Sequence, residues 1–149
     1  MIEEQLKKHG NVVSVTEGDS MRPLFKTHRD TVAIEKIDSD LKKYDVVLYK
    51  SESGTNFVLH RIVKVRSDGV FVIRGDNTYR NEYVRECDII GRLAGFNRKG
   101  KGYTDVDSFG YKFYSRFWVL IYPLRYIFRI PVSFVKRVFR RLFVKKSKK

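Results

Sequence analysis

The chain has 149 residues, 42% of them hydrophobic, which suits one small domain with a modest core plus an appendage. Its one cysteine, Cys87, excludes an internal disulfide, and no spacing of Cys and His suggests zinc or any other cofactor site. The net charge of +14 is uneven: residues 108–149 hold 12 Lys/Arg and no Asp or Glu, leaving 19 of the 31 basic residues and all 17 acidic ones for residues 1–107. A nearly neutral body followed by a polycation points the tail toward anionic lipid or nucleic acid.

Residues 1–9 are polar, and Ile2 to Lys8 suits one or two helical turns. They hold no apolar run that would serve as a signal peptide or an anchor. Val12, Val13 and Val15 then read as a strand. It leads into Gly18-Asp19-Ser20-Met21-Arg22-Pro23-Leu24-Phe25. Gly18 takes backbone angles that other residues resist, and Pro23 fixes its own φ and biases Arg22 toward extended geometry. Ser20 is therefore expected at a stiff bend between extended segments, with its backbone N–H free to meet a ligand. Taken alone, a serine in a Gly/Pro bend is an ordinary turn residue.

The alternation of Thr31 to Ile37 predicts a half-buried strand, and Asp45 to Lys50 predicts another. Phe57 to Val65 and Val70 to Ile73 read as a hairpin closed by Ser67-Asp68-Gly69. That hairpin carries His60 on one strand and leads to Asp76 just after the other. Residues 77–87 read as a loop, Ile89 to Ala94 as a returning strand, and Asn97 to Gly102 as a basic turn that ends the body.

The tail changes character. Phe117 to Leu124 is an apolar run of eight residues, whereas a membrane-spanning helix needs about 20, and Arg125 and Arg129 interrupt any longer window. Pro123 and Pro131 are expected to kink or divide a helix. After Pro131, Val132, Phe134, Val135, Val138, Phe139 and Leu142 form an apolar stripe beside Lys136, Arg137, Arg140 and Arg141. This pattern predicts an amphipathic helix lying in a membrane interface, with residues 111–149 on anionic lipid. The same apolar content would also serve a helical cap on the body.

The chemistry emerges from the order of the boxes. Gly18-Asp19-Ser20-Met21-Arg22-Pro23, Asp45-Val46-Val47, Leu59-His60-Arg61-Ile62-Val63, Arg74-Gly75-Asp76-Asn77 and Asp88-Ile89-Ile90-Gly91-Arg92 follow one another across about residues 10 to 95. In order and spacing they resemble the type I signal peptidase family, in its serine–histidine branch. The lysine branch would carry a lysine where His60 stands. Most family members also have a membrane helix before the serine box, which this sequence departs from.

The resemblance implies a mainly β fold, a small, coiled antiparallel sheet or partly open barrel over residues 1–107, to which the tail's own pattern adds a helical basic extension over 108–149. It implies a serine endopeptidase acting on leader or signal segments. Ser20 would be the nucleophile, and His60 the base, since histidine titrates near working pH. A third group must hold the imidazole tautomer. Asp76 stands first for that role, and Glu82, near where many relatives carry an aspartate, is the alternative. No cofactor or metal is called for. Without an export signal, the protein would sit at the cytoplasmic face of a membrane. Two other classes remain open: a catalytically silent, membrane-associated binding or scaffold relative, and a nucleic-acid-binding protein using the basic tail. Phe117, Trp118, Tyr122 and Tyr126 fall in an apolar run, not a solvated groove, which favours lipid over nucleic acid.

Overall fold

A computed structural model describes residues 2–51 and 56–129. Eight strands form one antiparallel sheet: β1 (Asn11–Val15), β2 (Thr31–Glu35), β3 (Val46–Lys50), β4 (Phe57–Val65), β5 (Val70–Arg74), β6 (Glu82–Arg85), β7 (Ile89–Arg98) and β8 (Gly102–Asp105). The spatial order is β1-β2-β7-β3-β4-β5-β6, with β8 added to β7. Three helices complete the described residues: α1 (Ile2–His9), α2 (Phe109–Leu120) and α3 (Tyr122–Arg129). The protein is mainly β, with a few short helices.

Strand parity sorts the core, because neighbouring residues of a strand face opposite sides. Val46 and Leu48 join Val32, Ile34, Leu93, Phe96 and Tyr111 in one cluster. Val47 and Tyr49 join Ile62, Phe71, Ile73 and Val84 in the other. Both faces of β3 are thus covered, and its first four residues are buried. The sheet bends at register shifts in β2 between Ala33 and Ile34, and between Ile62 and Lys64 of β4.

Two stretches differ from the sequence reading. Residues 77–87 hold a strand, β6, and a short 3-10 turn at Glu86–Asp88. Only Val84 of β6 is buried, so the segment lacks a readable alternation and is strand because β5 offers an open edge. The basic turn at 97–102 does not end the body. It joins β7 to β8, and β8 leads into α2.

The chain divides into two compact units, residues 1–119 and 120–149. The boundary falls near the end of α2 instead of at 107/108, because Tyr111 and Ser115 are buried against the sheet. In the second unit, Pro123 lies in the first turn of α3, where its missing N–H costs no helical hydrogen bond. No helix among the described residues is long and apolar enough to cross a membrane. The stripe expected from Val132 to Leu142 lies outside the described residues.

Candidate active site

The Ser20 loop is held from within and from without. Gly18 adopts a left-handed φ of 80° and donates its N–H to Thr27 Oγ1 at 3.0 Å. Thr16 Oγ1 donates to the carbonyls of Lys26 and Asp30, and Lys26 N–H is received by the Asp30 carboxylate at 2.9 Å. Met21, Leu24 and Phe25 are buried and anchor the loop in the core. Ser20 is half-buried on this frame. Its carbonyl accepts Asn77 N–H at 2.7 Å, and Asn77 Nδ2 donates to the Asp19 carbonyl at 3.2 Å. The Gly75-Asp76-Asn77 box therefore clamps the serine box directly.

His60 meets the same corner. A Cβ on Gly75 would stand 2.6 Å from the Ser20 carbonyl oxygen and 2.9 Å from His60 Nε2. Only glycine fits in that gap, and the gap brings the Ser20 backbone and the imidazole edge within 3 Å of one point. Nε2 is buried and has no hydrogen-bond partner among the described residues, so the Ser20 hydroxyl is not bonded to it in this conformation.

The other ring nitrogen is fully engaged. Nδ1 lies 3.0 Å from Tyr49 Oη and 3.2 Å from Glu82 Oε1. Tyr49 gives its one proton to Glu82 Oε2 at 2.6 Å, so its oxygen is an acceptor toward the ring. The proton of the neutral imidazole therefore belongs on Nδ1, and the lone pair on Nε2. This is the tautomer that a general base facing Ser20 requires. Burial pushes the His60 pKa below the ordinary histidine value, opposed by the charges of Glu82 and Asp76.

The two candidate acids are separated by the sheet. His60 pairs with Val47 across β3–β4, and Ile62, on the same face, pairs with Ile73, which in turn pairs with Glu82. Tyr49, His60 and Glu82 thus share one face. Arg61 points to the other, and Asp76 goes with it. Arg61 Nε and Nη2 each donate to the Asp76 carboxylate at 2.8 Å in a bidentate pair. Glu82, not Asp76, is the carboxylate within reach of Nδ1.

Asp76 and Arg61 instead form a buried hub that receives α2. Arg61 Nη1 donates to the Tyr44 carbonyl, Tyr111 Oη and Ser115 Oγ. Tyr114 Oη donates to Asp76 Oδ2 at 3.1 Å, and Trp118 Nε1 to the Asp76 carbonyl at 2.9 Å. Burial would lower the Arg61 pKa, but the adjoining Asp76 carboxylate and Tyr111 together more than offset it, so the guanidinium stays charged. Burial also pushes the Tyr114 phenol up, with Asp76 adding to it. The sequence reading did not single out Tyr49 or Arg61. Arg61 stood in the histidine box but carried no assigned role.

Beside Ser20 opens a cleft of about 540 Å³, lined by Val12, Ser14, Val32, Ile34, Leu48 and Leu59 and by Met21 and Phe25 of the loop. Its floor is apolar and its rim is β1, an edge strand of the sheet. A neutral base with a free lone pair, a clamped serine and an apolar cleft can carry out acyl transfer on an extended chain. The chain matches no protein-family model, and no curated protein matches it.

Proposed function

We propose that the chain is a serine endopeptidase of the signal-peptidase type, cutting leader or signal segments by an acyl-enzyme route, with its basic tail on an anionic membrane surface. The carrying observation is the state of His60: Nδ1 is engaged by Tyr49 and Glu82, while Nε2 is unpartnered at the Ser20 corner. Ser20 Oγ attacks the scissile carbonyl as Nε2 takes its proton. The same nitrogen then protonates the departing amine, and the C–N bond breaks. Water, activated by His60, releases the acyl group and restores the serine. Glu82 and Tyr49 hold the imidazole, and backbone N–H groups near Ser20 receive the oxyanion. Asp76 braces the corner from the opposite face. The direct test is labelling by a fluorophosphonate, which phosphonylates an activated serine with loss of fluoride, followed by mass mapping to Ser20. Labelling that persists in Ser20→Ala would end the proposal.

A second reading, a silent binding relative, draws on the missing bond between Ser20 Oγ and Nε2. Catalytic hydrogen bonds often close only once substrate is bound, so the conformation fits both. The fluorophosphonate separates them, since a silent relative would take up none.

Two predictions concern His60. Only the neutral imidazole accepts the serine proton, and burial lowers its pKa. kcat/KM should therefore rise with pH along a limb whose midpoint lies below about 6.5, the ordinary histidine value. A kcat/KM that falls as pH rises from about 5 to 8 would remove His60 as the base. Next, Glu82→Gln should lower kcat by about 10²- to 10⁴-fold, as loss of an orienting carboxylate does. Tyr49→Phe removes one hydrogen bond to the ring and should cost about tenfold. Wild-type turnover in Glu82→Gln would mean that a Ser-His pair acts without it.

A further inference from the structure

Helix α2 has two faces with different destinations. Tyr111, Tyr114, Ser115 and Trp118, three and four residues apart, turn inward to Arg61 and Asp76. Phe109, Phe113 and Phe117 follow the same spacing on the other side and are 85%, 63% and 47% exposed. Their rings stack on one another at centroid distances of 6.5 and 6.1 Å, giving one continuous apolar ridge. Three phenylalanines in register on an exposed helix face are unusual on a surface that meets only water.

We infer that this ridge is the face by which the β-body itself docks on an anionic lipid surface, in addition to the basic tail. The argument is charge. From Ser108 to the end the chain carries 12 Lys/Arg and no acid, and Lys112, paired with the exposed Asp107 at 2.9 Å, and Arg116, over the Tyr44 ring, lie on α2 beside the ridge. Apolar rings between cations match a bilayer interface, where the rings sink below the headgroups and the cations stay among the phosphates. A second copy of the chain fits less well, because each copy brings a net charge of +14. Nucleic acid fits less well because the phenylalanine faces are stacked on each other, not open to bases. Since the inner face of α2 grips Asp76, docking through the outer face would hold the Ser20 cleft in one orientation to the membrane.

The docking depends on the membrane part of the proposed function and not on peptidase chemistry, so its test uses no cleavage assay. Full-length protein is floated with phosphatidylglycerol/phosphatidylcholine vesicles and with phosphatidylcholine alone. The wild type should bind the anionic vesicles. Phe109→Ser/Phe113→Ser, with the tail intact, should bind them about tenfold more weakly or worse, since two rings no longer leave water. Should the double variant melt early, Phe109→Ser alone serves, because a residue 85% exposed contributes little to the fold; about threefold weaker binding is expected of it. Wild-type vesicle affinity in folded variants would overturn the inference and leave attachment to tail charge alone. A wild type that binds no vesicle would overturn it as well, and sedimentation would then show whether the ridge joins two copies.

Discussion

Ser20→Ala is expected to lower kcat for peptide cleavage by about 10⁴-fold or more, the loss that follows removal of an activated nucleophile. The residue is half-buried in a loop whose anchors are Met21, Leu24 and Phe25, so the melting temperature should barely move. His60→Ala should cost as much in rate, and the double substitution little more, because nucleophile and base act as one unit. His60 is buried, however, and its truncation opens a cavity, so His60→Gln is the better-packed companion. Steady-state kinetics on a leader-type peptide, with thermal melts beside them, provide the check. Near wild-type turnover in either single variant would exclude the serine mechanism.

The second large effect concerns stability. Arg61 is fully buried, and Asp76 is its only carboxylate partner among the described residues. Removing one member of such a pair leaves a charge in the core and typically costs about 3–5 kcal/mol. Asp76→Ala should destabilise the protein by that order in urea unfolding. Arg61→Met/Asp76→Leu should recover part of the loss: no charge is stranded, but the hydroxyls of Tyr111, Tyr114 and Ser115 lose these partners. A loss below about 1 kcal/mol in Asp76→Ala, the scale of an exposed pair, would mean that the hub contributes no more than a surface ion pair. Cutting the chain after residue 110 attacks the same hub from the other side, because it removes Tyr111, Tyr114, Ser115 and Trp118 together. Such a truncated chain should unfold early in a thermal melt.

Much of the fold was legible because it is local. The alternation of Thr31 to Ile37, the β-branched run from Asp45 to Lys50 and the Ser67-Asp68-Gly69 turn each specify an element from near neighbours. Strands β2, β3, β4 and β5 lie where those patterns end, give or take a few residues. Strand β6 was not legible: Glu82-Tyr83-Val84-Arg85 offers one buried side chain, and its conformation comes from the edge of β5. Ser20 and His60 were candidates from their boxes, and the close approach of their two segments at Gly75 was not visible in the spacing.

The sequence by itself determined the composition of the corner: a serine two residues after a glycine, one histidine on a strand, two candidate acids in Asp76 and Glu82, and a nearly neutral body ahead of a basic tail. Which acid meets the histidine was decided only by the tertiary structure, because it depends on parity. His60 and Arg61 are consecutive on β4 and must face opposite sides, so each acid is assigned by the face on which its own segment returns. Glu82 comes back beside Ile73 on the histidine face, and Asp76 on the arginine face. The fate of Phe109 to Leu120 was decided in the same way. Its composition pointed first to lipid, with a cap on the body as the alternative, and it serves as a cap along one face because a buried guanidinium has five donors to satisfy. The phenylalanines that face away were left to the surface by that same rotation of the helix.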